Sequence, residues 1–145
     1  MSPDRLFLIS NTTALLGWIL LLFAPWLPRI ADRVAGYGIP MLLALVYAVT
    51  LVVYMPSAEG SFTSLSGVAA GFAAPSIALV GWLHYLALDL FIGGWEVRTA
   101  RRESIPHWQI VPCLVLTLFA APVGLVLFVL VRGLNKRKPA SPSPA

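Results

Sequence analysis

Two titratable side chains, His84 and Asp89, stand inside WLHYLALDLFIGGW, residues 82 to 95, a run otherwise apolar enough to cross a bilayer. A carboxyl and an imidazole held in a dry site are the usual means of moving a proton to or from a reacting atom. Keeping an aspartate at the centre of a membrane helix costs about 2.5–3.5 kcal/mol, and residues that bear such a cost are functional by default. Five residues apart, the two side chains are rotated by about 140° on a helix, so they flank one inward sector without stacking. Asp89 shares its face with Trp82, Tyr85 and Glu96, and His84 shares its face with Gly81, Leu88 and Phe91. A purely structural use stands beside the chemical one. A protonated Asp89 can bond Tyr47, Tyr54, Asn11 or a carbonyl freed near Pro122, while His84 bonds a Ser or Thr, gluing one helix to the next.

Counting removes other chemistries. Two histidines, His84 and His107, are too few for a membrane di-iron centre, and their depths differ by about 17 Å or more, which is awkward for one haem. No metal site is expected. There is no Gly-rich phosphate loop and no argued Ser-His-Asp set. Cys113, the single cysteine, cannot form an intrachain disulfide and reads as a buried, inert thiol. What remains is proton chemistry without a redox cofactor, or the binding of an apolar ligand.

These residues must be positioned by membrane helices. The 145-residue chain is 59% hydrophobic and 11% charged, with a mean hydropathy of +0.85. Those values are far from a soluble domain. Ten Lys and Arg against six Asp and Glu give a net charge of +4, yet no basic run is interleaved with aromatics on a soluble surface. Nucleic acid is therefore not an expected partner, and the basic residues are placed to meet lipid phosphates or fix topology.

Apolar runs long enough for a ~30 Å hydrocarbon core predict spans at about 6–25, 39–55, 76–95 and 110–131. Trp18 and Trp26 fit interfacial or lipid-facing positions. RIADRVAGYG reads as a loop or a short surface helix, and residues 62–72 as a short interfacial or re-entrant helix. EVRTARRESIPHWQ reads as a charged loop that keeps Glu96, Arg98, Arg101, Arg102 and Glu103 solvated, with His107 interfacial. Pro122 and Gly124 should kink the last span and free carbonyls. Residues 136–145, basic and then rich in Pro and Ser, read as a disordered tail following one transmembrane domain over 1–135. The expected fold class is all-α, an integral membrane bundle of four transmembrane helices with the short helix between the second and third. Four straight spans put Arg5, Arg132, Lys136, Arg137 and Lys138 on one side and Arg29, Arg33, Arg98, Arg101 and Arg102 on the other. That tie leaves orientation open.

The block GWLHYLALDLFIGGW, with NTTALLGWILLLFAPW before it and PHWQIVPCLVLTLFAAPVGLVLFVL after it, resembles the neoxanthin-synthase-like family named for abscisic-acid-deficient plants. The most specific matches are His84, Tyr85, Leu86, Ala87, Asp89, Leu90 and Phe91, then Pro122 to Gly124. The resemblance implies an isomerase-like protein acting on a carotenoid or another isoprenoid lipid, of the kind that turns an epoxide into an allene without a cofactor. Asp89 would then exchange the proton on carbon and His84 would be the partner acid or orienting group, with Tyr85, Trp82, Glu96, Asn11, Tyr47 and Pro122 as binding residues. A carotenoid spans the hydrocarbon core, so its end ring would meet Asp89 near one interface, and Gly81, Ala87, Gly93 and Gly94 would let a helix or a flat polyene approach closely. The alternatives are a non-catalytic carotenoid- or lipid-binding protein and an accessory subunit whose polar residues meet a partner membrane protein. The plant form's transit segment is missing, which points to a bacterial plasma membrane.

Overall fold

In a computed structural model of the chain, residues 2–57, 60, 61 and 63–136 are described, and every regular element among them is helical. The helices are α1 (Pro3–Leu22), α2 (Pro28–Tyr54), α3 (Leu65–Phe72), α4 (Pro75–Arg102) and α5 (His107–Lys136). All but α3 are long and apolar enough to cross a membrane. Their outward faces carry large apolar side chains, such as Leu8, Leu16, Leu45 and Val52, as lipid contact requires. The chain is an integral membrane protein of the all-α class.

Proline opens α1, α2 and α4 at their first positions, where a missing N–H costs nothing. The short α3 begins at Ser64, whose Oγ accepts from the Gly67 N–H at 3.1 Å. Phe62 and residues 137–145, expected as the start of the short helix and the disordered tail, lie outside the described residues.

Two segments, one expected as a loop or a short surface helix and the other as a charged loop, are continuous with the long helices. RIADRVAGYG forms the first turns of α2, π-helical over Ala31–Gly38, because Ala31, Ala35 and Gly36 pack inward and offset the outward charges. EVRTARR continues α4 to Arg102, since Glu96, Val97 and Ala100 turn into the bundle while Arg101 and Arg102 face outward. The same regularity places Asp89 midway along α4 rather than near an interface.

At the basic end α4 and α2 approach closely. A Cβ on Gly94 would lie 2.6 Å from the Gly36 Cα, so only hydrogen fits there. Pro40 has no N–H to give the Gly36 carbonyl four residues back, and Arg98 supplies one at 3.2 Å. Arg98 also stacks over the Tyr37 ring at 4.1 Å and pairs with Asp32 at 3.5 Å. It is thus tied to α2 rather than solvated.

The fourth long helix does not run straight. Ala120 leaves the helical region (φ −157°, ψ 77°), and the chain folds back so that the two arms of α5 lie side by side. On a straight helix Gln109 and Asn135 would be about 39 Å apart. Here Asn135 Nδ2 donates to Gln109 Oε1 at 2.8 Å, and Arg132 grips Glu103 with Nε at 2.9 and 2.7 Å. Gly124 makes the fold possible, because any side chain there would collide with the Thr117 backbone. A helical hairpin therefore enters from the Glu103 end and turns near the middle of α4.

This fold breaks the tie in charge. Arg132 and Lys136 join Arg29, Arg33, Arg98, Arg101 and Arg102 at one end, held there by Glu103, and of the described basic residues Arg5 alone lies at the other. Basic residues collect in this way on the side of a membrane that is not translocated.

Candidate functional site

Asp89 projects from the centre of α4 towards the turn of the hairpin. Pro122 cannot donate to the Leu118 carbonyl, and the Tyr85 hydroxyl does so instead at 2.7 Å. The carbonyl expected near Pro122 is thus freed, but Tyr85 rather than Asp89 takes it. The same hydroxyl lies against the Asp89 carboxyl. One hydroxyl proton thus serves two neighbouring acceptors, the Leu118 carbonyl and the Asp89 carboxyl. Asp89 is 6% exposed and its Oδ2 has no hydrogen-bond partner among the described residues. A buried polar atom left in this way calls for an explanation.

A crevice of about 90 Å³ adjoins Asp89. Asn11, Leu15 and Trp18 of α1, Tyr85 and Asp89 of α4, and Leu118 at the hairpin turn line it. Trp82, one turn below Tyr85, stacks on it with ring centroids 5.2 Å apart and donates from Nε1 to Asn11 Oδ1 at 3.3 Å. The hairpin stops at this depth, so no second arm covers Trp82, and its ring is exposed. Asn11, Trp82, Tyr85 and Asp89 therefore come together as the spacing suggests. Pro122 acts through the carbonyl it frees, and its own ring faces outward.

His84 does not join them. It is exposed on the opposite flank of α4, its ring 5.3 Å from Tyr47, in a groove of about 660 Å³ between the end of α2, α3 and the start of α4. The rotation of about 140° between positions five apart is what separates the two. Tyr85 lines both the groove and the crevice, and Trp82 lines the groove.

Glu96, expected in a solvated loop, is fully buried. Its Oε1 accepts from Thr117 Oγ1 at 2.9 Å, and its Oε2 is unpartnered among the described residues. Two helical turns from Asp89, it meets the hairpin on the same face of α4 but lines no crevice with it. Among the described residues no three His, Cys, Asp or Glu side chains converge as metal ligands. Cys113 is buried, with Sγ 3.9 Å from the Gln109 carbonyl, and His107 Nε2 meets the Leu22 carbonyl at 3.1 Å.

Of the helix or polyene that the glycines were expected to admit, the structure shows neighbouring helices of the protein itself. Gly93 lies under Trp18, which is buried rather than interfacial, Gly94 lies on Gly36, and Gly81 lies under Phe72.

A family model, ABA DEFICIENT 4-like (ABA4-like), matches residues 5–128. The chain belongs to this family. No curated protein and no solved structure matches it. In this ABA4-like protein the matched region takes in α1, α2, α4 and the turn of the hairpin, hence the whole of the Asp89 crevice. The neoxanthin-synthase-like resemblance of the sequence is therefore sound at the level of family. Leu118 and Thr117 were missed by sequence reasoning, because one contributes a main-chain carbonyl and the other an unremarked hydroxyl. The signal for Leu118 was available in Pro122, whose missing N–H points four residues back.

Proposed function

We propose that this ABA4-like protein is an isomerase-like membrane protein acting on a carotenoid or another isoprenoid lipid, with Asp89 as the proton-transferring group. The observation that carries the reading is the buried Asp89, its Oδ2 without a partner among the described residues, in the wall of a crevice that Asn11, Trp18 and Tyr85 also line. Such a carboxylate oxygen is a ready acceptor for a proton on carbon. In an epoxide-to-allene step, the proton leaves carbon, its electron pair forms a carbon–carbon double bond, and the epoxide C–O bond breaks. The oxygen then takes up one proton, so mass is unchanged and no oxidant is consumed. Asp89 and the Tyr85 hydroxyl beside it can carry both transfers. His84 stands too far round the helix to act on the same atom, and its proposed role is to line the groove, with Tyr47, for the rest of the ligand. Because Asp89 lies at mid-helix, the reacting end enters sideways beneath the hairpin turn rather than at an interface. The setting we propose is a bacterial plasma membrane.

A second reading has its own support. The large groove is lined by Tyr47, Trp82, His84 and Tyr85 over an apolar floor, which suffices to hold a carotenoid without changing it. Expression in a carotenoid-producing host, followed by chromatography and mass spectrometry of the pigments, separates the two. Isomerisation gives a new retention time at unchanged mass that disappears in Asp89→Asn. Copurified pigment of unchanged structure favours the binding role. A stoichiometric membrane-protein partner with no pigment would overturn both.

A further inference from the structure

At the basic end a second cavity, of about 440 Å³, opens between the α1–α2 and α4–α5 connections. Its floor is apolar, formed by Ala24, Val97, Ala100 and Ile105, all buried. Its rim carries Arg29, Arg101 and His107, and no Asp or Glu lines it. Arg101 Nη1 donates to the Pro28 carbonyl at 3.2 Å, which brings its guanidinium beside Arg29. His107 Nε2 is fixed on the Leu22 carbonyl. Two like charges converging on one concavity repel unless an anion lies between them.

The neighbouring acids are committed elsewhere. Asp32 is paired with Arg98, and Glu103 with Arg132 and Lys136. Arg29 and Arg101 have no ion-pair partner among the described residues. Depth is indicated independently by Trp26 and Trp108, 72% and 73% exposed, which flank the cavity in sequence. Exposed tryptophans at the ends of membrane helices sit at the headgroup level.

The geometry points to a binding site for a phosphate-bearing anion, the two guanidinium groups taking the phosphate and the apolar floor taking what adjoins it. Guanidinium is suited to this by its planar fork of donors. A phospholipid headgroup is the source that the depth favours, and free phosphate is the other.

The test uses the full chain in a neutral detergent, reading the thermal unfolding midpoint. Phosphatidylglycerol, phosphatidylcholine and inorganic phosphate at matched ionic strength are titrated separately. The expected result is a saturable rise with phosphatidylglycerol that phosphatidylcholine does not match. A rise with inorganic phosphate as well supports the site and identifies the anion itself as sufficient. Arg29→Gln should weaken half-saturation by about fivefold, the worth of one basic residue near an anionic headgroup. Its side chain makes no hydrogen bond or ion pair within the described residues, so the variant has no such bond to lose on folding. Arg29→Gln with Arg101→Gln should weaken it further. Arg33→Gln with Arg102→Gln removes equal charge from the same end but outside the cavity, and should leave half-saturation unchanged. No rise with either probe, or equal weakening in the two double variants, overturns the proposal.

Discussion

Asp89 and Glu96 make a controlled comparison inside one helix. Both are carboxyls on the same face of α4, both turn towards the folded α5, and each has one oxygen without a partner among the described residues. Glu96 is sealed at 0% exposure and accepts from Thr117, whereas Asp89 lines a crevice and shares the Tyr85 hydroxyl with the Leu118 carbonyl. Burial of a carboxyl therefore does not by itself mark a reactive site. What separates the two is access, and the turn of the hairpin sets it. Thr117 lies just before the break at Ala120 and closes over Glu96, while Leu118 presents its carbonyl beside the opening at Asp89.

The sharpest way to break the comparison is to neutralise each acid in turn. Asp89→Asn should lower pigment conversion by about 10²-fold or more with the fold retained, the scale expected for removing a proton-transferring group. Glu96→Gln keeps an acceptor for the Thr117 hydroxyl, so conversion should persist and stability should change by about 1 kcal/mol or less. Equal losses of conversion in the two variants, with both folded, would mean that the acids act as one unit.

Next in size is the hairpin itself. Gly124→Val forces a branched side chain against the Thr117 backbone and should cost about 1–3 kcal/mol as overpacking, or more if the arms separate. Both acids should respond, since one turn positions Thr117 and Leu118 together. Disulfide trapping of a Gln109→Cys, Asn135→Cys pair, made with Cys113→Ser, reports whether the arms still meet. A Gly124→Val protein that crosslinks as readily as its parent would show that the glycine is not what lets the chain fold back.

Tyr85→Phe should have a smaller effect on stability. It leaves the Leu118 carbonyl without its donor, which costs about 1–3 kcal/mol when the group is well buried and less here, where Tyr85 borders the groove. If Asp89 performs proton transfer with help from this hydroxyl, conversion falls further than thermal stability predicts. A loss of stability with conversion unchanged would assign Tyr85 to structure alone.

Much of this was legible in the chain, and what was not has a physical reason. Apolar length gave the four long helices, and helical phase grouped Asp89 with Trp82 and Tyr85. The missing N–H of Pro122 announced a freed carbonyl. The continuation of α4 through Glu96 to Arg102 was hidden because a charged stretch ordinarily means water, and here one carboxyl is buried by a hydroxyl twenty-one positions along, in Thr117. The fold-back of α5 was hidden for a deeper reason. Composition records that residues 107–136 suit a membrane but not whether they cross it, and that decision rests on Gly124 meeting Thr117. The charge tie was a consequence of assuming that the last helix crosses from one side to the other, and it vanished with that assumption.

The smallest expected effect concerns the clamp that closes the base of the hairpin. Arg132 and Lys136, on the returning arm, hold Glu103 in the α4–α5 connection, with the Lys136 Nζ 3.5 Å away. Hydrogen bonding by Arg132 pulls the Glu103 carboxyl below its ordinary value of 4.5. The unfolded carboxyl titrates at the ordinary value, so the stabilisation is complete above that pH and is lost as pH falls through the lower folded value. Thermal midpoints of the parent and Glu103→Gln should therefore differ at neutral pH and converge in acid, with added salt narrowing the neutral difference. A gap that persists at pH values well below the carboxylate range would show that the clamp acts through packing rather than charge, and the hairpin would then owe its closure to the Gly124 contact and the Asn135–Gln109 bond instead.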